Sequence, residues 1–140
     1  MKEILMSVLL AGSAVMAEDS AGIYSNDNYV VCDILESGYA DFVKNGFFET
    51  ESLSKEGFIH CAKPRQLTYV MGKYFTADQY VLFVSHKDLL GESLVYEGRD
   101  PNNLYPHLRR AFYMKDLIKS FHIIRNDQGV FEVPLELRRP

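Results

Sequence analysis

Residues 80–85, YVLFVS, are apolar up to the final serine and show no alternation with polar residues. A strand of that kind is covered on both faces, so the chain must place layers on each side of a sheet. Its 140 residues allow one domain and hardly two. Apolar residues make up 47%, with nine Tyr and nine Phe, which is enough for a sizeable core. The 15 basic and 19 acidic residues leave a net charge of −4. That balance argues against nucleic acid or an anionic membrane as the main partner, since both need clustered positive charge.

The chain opens with Ile4 to Met16, an apolar run too short to span a bilayer and similar to the core of a secretory signal. Small residues at Val15 and Ala17 place a cleavage point after Ala17. The expectation is a signal peptide over 1–17, a polar leader over 18–28 and a single domain over 29–137. Export would make the mature protein periplasmic or secreted, without a membrane segment. Cys32 and Cys61 could then pair, or remain two small buried thiols.

Within the domain, 29–33 reads as a strand and 34–47 as a helix weakened by Gly38 and ended by Gly46. Residues 48–56 read as polar connection and 57–62 (GFIHCA) as a strand. Pro64 opens a helix over 64–75, whose apolar stripe is Leu67, Val70, Met71 and Tyr74. Strands over 80–85 and 93–97 follow, then an irregular loop over 98–106 and a turn or short helix over 113–118. Residues 121–124 and 130–133 flank Asn126-Asp127-Gln128-Gly129, a hairpin signal. About six strands and two helices point to an α+β domain on a small split or strongly twisted sheet.

The sequence holds no GxGxxG, P-loop, HExxH, CxxC pair or GxSxG, and offers no recognisable metal-ligand spacing. Chemistry must come from polar side chains placed singly. His60 sits between apolar Ile59 and Cys61, so its ring must find a partner or face a cleft. His107 follows the stiff Tyr105-Pro106 pair. Glu97 ends a strand beside Gly98 and can reach into a cleft. Gln66, Tyr74 and Arg109, with Arg110 beside it, are candidate ligand contacts. Strand alternation puts His60 and Cys61 on opposite faces, which disfavours a Cys–His nucleophile pair. His122 falls on a solvent face and His86 reads as structural.

The segments EGFIHCA, Gln66, KYF, LVYE and YPHL, in this order, resemble a mainly bacterial family catalogued as domain of unknown function 952. The likeness runs from about Tyr29 to Val133. It departs at Arg109-Arg110, where the family usually has Tyr-Gly. The resemblance implies a fold similar to the ADP-ribosyltransferase superfamily, in which a split sheet binds NAD. It would give His60 the role of holding a ribose, and Glu97 or His107 that of completing the site. Tyr74 would be the aromatic partner of the nicotinamide ring. Two functions follow as expectations. One is an enzyme that acts on NAD or a related nucleotide; the other is a non-catalytic domain that binds a small ligand or a protein.

Overall fold

A computed structural model describes residues 21–140. The expected signal peptide over 1–17 lies outside the described residues. The fold is α+β, with eight strands in three small antiparallel sheets and four short α-helices among the described residues.

The main sheet has the order β1–β4–β8, formed by Tyr29–Leu35, Gln79–His86 and Lys119–Ile124. β4 is central, and Val81 to Ser85 are all fully buried, as the unbroken apolar run requires. Pairing of Cys32 with Phe83 and of Asp33 with Leu82 sorts the side chains into two faces. Val30, Cys32, Val81 and Phe83 join one core cluster, with Phe42, Phe48 and Phe112. Val31, Tyr80, Leu82 and Val84 join the other, with Leu67, Met71 and Phe75.

A second sheet, β3–β6–β5, pairs Ile59–His60, Tyr105–Leu108 and Leu94–Glu97. A third, β2–β7, is a two-residue ladder of Phe47–Phe48 with Phe112–Tyr113. The helices are α1 (Tyr39–Asn45), α2 (Glu51–Glu56), α3 (Leu67–Tyr74) and α4 (Lys87–Leu90). Cys32 and Cys61 form a disulfide, with their Cα atoms 4.5 Å apart. It ties β1 to the residue after β3.

Several expectations change. The helix expected over 34–47 begins only at Tyr39, because Ile34 and Leu35 continue the ladder opposite Val81 and Tyr80. The connection over 48–56 contains α2, capped by Thr50, whose Oγ1 accepts from Leu53 N at 3.3 Å. Gly57 ends it at φ +91°, a left-handed conformation that glycine adopts without strain. The strand over 57–62 shrinks to Ile59–His60, with Ala62 bridged separately to Val31. The loop over 98–106 gives up Tyr105 and Pro106 to β6. Proline removes a ladder donor there, but its carbonyl still accepts from Cys61 N at 3.0 Å. The turn at 126–129 closes through Asn126 N to Val130 O at 2.8 Å, yet 130–133 is not a strand. Instead Phe131 packs at 5.7–5.8 Å from the rings of Phe75 and Tyr80.

Candidate functional site

One face of the main sheet is not fully covered. Between Val31, Asp33, Tyr80 and Leu82 of the sheet and Leu67, Val70 and Phe75 of the α3 region lies a cleft of about 530 Å³. Its other walls are Tyr69 and Tyr74 of α3, Thr50 and Ser52 at the start of α2, and His60 and Cys61. Tyr105 and His107 of β6 complete it. The amphipathic pattern of α3 accounts for the apolar wall, since Leu67 and Met71 anchor the helix in the core. Tyr69 and Tyr74 stand on the rim, each more than half exposed.

The two imidazoles meet because β3 and β6 pair in one register. His60 is directly opposite His107, and their ring centroids are 5.4 Å apart. Ile59 and Leu108, the neighbouring pair, point the other way into the core. Phe58 packs beside both imidazoles. It stacks on His107 at 3.8 Å with planes 11° apart, and meets His60 edge-on at 4.8 Å. His107 is largely enclosed, with 14% of its side chain exposed, whereas His60 is 58% exposed.

Each imidazole has a carboxylate partner. Glu97 Oε1 lies 2.8 Å from His107 Nδ1. This contact is diagonal across β5 and β6, since Glu97 itself faces Tyr105. Arg109 Nη2 donates to the other oxygen of Glu97 at 2.9 Å. The hydrogen bond to His107, with the Arg109 guanidinium beside it, holds the Glu97 carboxyl below the usual carboxylate range. A carboxylate on Nδ1 fixes the tautomer and leaves Nε2 available, the arrangement found in many general acid–base sites. His60 Nε2 is 3.3 Å from Glu56 Oε2, which the left-handed turn at Gly57 brings round from the end of α2.

Asp33 behaves in the opposite way. It shares its face of the main sheet with Val31 and Tyr80 and borders the cleft. Its carboxylate makes no hydrogen bond or ion pair to the described residues. Burial alone pushes its carboxyl up to about 7. A carboxyl poised near neutral pH in a cleft is a candidate proton donor or acceptor. The available signal for it in the sequence was a lone acid in an otherwise apolar strand, YVVCDIL.

The other expected site residues are dispersed. Gln66 is buried and saturated: its Oε1 accepts from Lys63 N at 2.9 Å. Its Nε2 donates to Asn103 Oδ1 and Leu104 O at 2.9 and 3.0 Å. It therefore pins the 98–104 loop and does not line the cleft. Tyr74 lies on the cleft rim, not in the core. Arg109 stands behind Glu97, outside the cleft. Arg110 forms a paired contact with buried Asp116, at 2.7 and 3.1 Å, that closes the turn after β7. These two arginines thus have structural partners. His86 Nδ1 accepts from Asp88 N and caps α4, in keeping with a structural role. His122 is exposed and lies 2.8 Å from Glu36. Among the described residues no three His, Cys, Asp or Glu side chains are grouped to hold a metal ion. Among the same residues, no helix is long and apolar enough to cross a membrane.

Comparison with known proteins adds the fold and the family. The chain is similar to the crystal structure of protein CC0527 from Caulobacter crescentus, with a TM-score of 0.67 and 22% identity. That match covers 74% of this chain and 93% of the other. The solution structure of CC0527 matches with a TM-score of 0.64 and 22% identity, covering 74% and 90%. At that identity the likeness shows the fold alone. No protein of curated function matches the chain. Residues 34–120, which include β3, α3, β5 and β6, match the family model described as "Protein of unknown function (DUF952)", and the chain belongs to that family.

Proposed function

We propose that the cleft is a small-molecule site in which His60 and His107 handle the polar group of the ligand. The cross-strand pairing of the two imidazoles at the wall of an apolar cleft carries this reading. His107, held by Glu97 through Nδ1, presents Nε2 as a donor or acceptor. His60 stands beside it with greater freedom. Apolar side chains of Leu67, Val70, Phe75 and Leu82 provide the desolvated surface that a ligand ring requires.

NAD or a related nucleotide is the ligand suggested by the resemblance to ADP-ribosyltransferases. In that case the cleft would take the ring and ribose, with Tyr74 at the rim. The phosphates would lie outside, because no Lys or Arg is among the cleft's lining residues. Glycosidic cleavage needs charge stabilisation more than a nucleophile, which two imidazoles can supply. Binding without turnover is the second reading. It is favoured by Glu97, which is engaged by Arg109 and His107 outside the cleft, so it is not free to act on a ligand directly.

The test is thermal unfolding of the purified protein with NAD, ADP-ribose and nicotinamide, followed by an assay for NAD turnover. A ligand-dependent rise in Tm that disappears in both His60→Ala and His107→Ala supports the site. A rise that is unchanged in both variants removes it. Turnover lost with either histidine makes the site catalytic, while binding alone leaves the second reading.

We also infer export, with cleavage after Ala17. The Cys32–Cys61 disulfide supports it, because such bonds persist in oxidising compartments. The N-terminal sequence of the protein recovered outside the cytoplasm tests this. Glu18 at the new terminus is expected, and retention of Met1 contradicts it.

A further inference from the structure

The charge pattern around the cleft narrows the class of ligand. Asp33 is the one carboxylate lining it, and it has no partner among the described residues. Four tyrosines, Tyr69, Tyr74, Tyr80 and Tyr105, line the same cavity. An adjoining open hollow of about 750 Å³ shares Asp33, Thr50 and Tyr80 with the cleft. It adds Asp41 and Glu49, and no Lys or Arg lines it. The two hollows together present three carboxylates against the two imidazoles of His60 and His107.

We propose that the cleft selects a small organic cation, a substituted ammonium group, with Asp33 as its counter-ion and the tyrosine rings as its flanking surface. This rests on the reading of the cleft as a small-molecule site. The chemistry follows from two physical facts. An unpaired carboxylate in an apolar cleft is destabilised in its charged form until a cation arrives. Aromatic faces attract cations electrostatically, most strongly once water is excluded. The rim already shows the second effect. Lys73 Nζ lies 5.5 Å from the ring centroids of both Tyr69 and Tyr74 and donates to Tyr69 OH at 3.0 Å. That ammonium is exposed to solvent and is not among the residues lining the cleft.

Choline and its neutral carbon isostere, 3,3-dimethylbutan-1-ol, separate charge from shape. Both would be titrated at pH 8 into protein carrying labelled methyl groups. Shifts at Val70 and Leu82, inside the cleft, report binding there. Wild-type protein should bind choline at least tenfold more tightly than the isostere. Asp33→Asn should lose that preference while still binding the isostere, which shows the cleft to be intact. Lys73→Met should retain it. Equal affinities in the wild type, or a preference that survives in Asp33→Asn, overturn the proposal and leave the cleft as a neutral-ligand site. Saturation by neither compound overturns the cation assignment, while the small-molecule reading falls only if NAD, ADP-ribose and nicotinamide also leave Tm unchanged.

Discussion

The two faces of the β1–β4–β8 sheet are built from the same strands and filled in different ways. On the closed face Phe42, Phe48 and Phe112 crowd around Phe83, with ring centroids 4.6–5.5 Å from it. On the other face α3 and Phe131 cover only part of the sheet. The remainder is the cleft, bordered by Asp33, the histidine pair and the tyrosines. Aromatic rings that interlock fill the space between them. A short helix across a sheet, held by Leu67, Val70 and Met71, leaves room beside it. One face therefore supplies stability and the other keeps unfilled space next to titratable side chains.

Substitutions on each face should break this contrast in order of size. Phe83→Ala on the closed face should cost about 3–5 kcal/mol in denaturant unfolding, through lost burial and a cavity. The disulfide comes next. Opening the Cys32–Cys61 link, which spans 29 residues, by substituting both cysteines with Ala should cost roughly 3–4 kcal/mol on the chain-entropy account. The same unfolding measurement checks it.

Asp33 gives the contrast its pH dependence. Its carboxyl sits near 7 in the folded chain against 3.8 in the unfolded one, so the native state binds the proton more tightly. Stability due to Asp33 is therefore highest below pH 4, falls as pH rises and is fully lost above about 7. The wild type should lose on the order of 2–4 kcal/mol more than Asp33→Asn between pH 4.5 and 8. Glu97 has the opposite sign, since its lowered carboxyl contributes at neutral pH and loses that contribution as acid protonates it.

Smaller effects sharpen the picture. Gln66→Ala should cost about 1–3 kcal/mol, because it leaves part-buried partners at Lys63, Asn103 and Leu104 unsatisfied. It should also raise amide hydrogen exchange over 98–104. Tyr74→Ala on the cleft rim should change stability by less than about 0.5 kcal/mol in chemical unfolding, because the side chain is mostly exposed.

What the sequence made legible follows the range of the interaction. The stripe Leu67, Val70, Met71 and Tyr74 identified α3, and the unbroken run at 80–85 identified the central strand, since both patterns are local. α2 was overlooked although Thr50 and Gly57 bracket it, because its six residues bury no side chain fully and so carry no apolar stripe. Pro106 hid β6, and one of its two partner strands, β3, is distant in sequence. The meeting of His60 with His107 required the β3–β6 register, a pairing between residues 47 apart. Asp33 reads as the end of a strand because nothing local reveals that it borders a cleft with Leu82, Tyr80 and α3.

The open face holds a partly exposed carboxylate, Asp33, with no partner among the described residues, and the apolar cleft beside it raises its pKa. A titration of the Asp33 side-chain carboxyl by carbon NMR tests it directly. A midpoint close to 7 is predicted for the free protein. A midpoint near 4 would mean that the cleft does not raise the carboxyl, and would contradict the account.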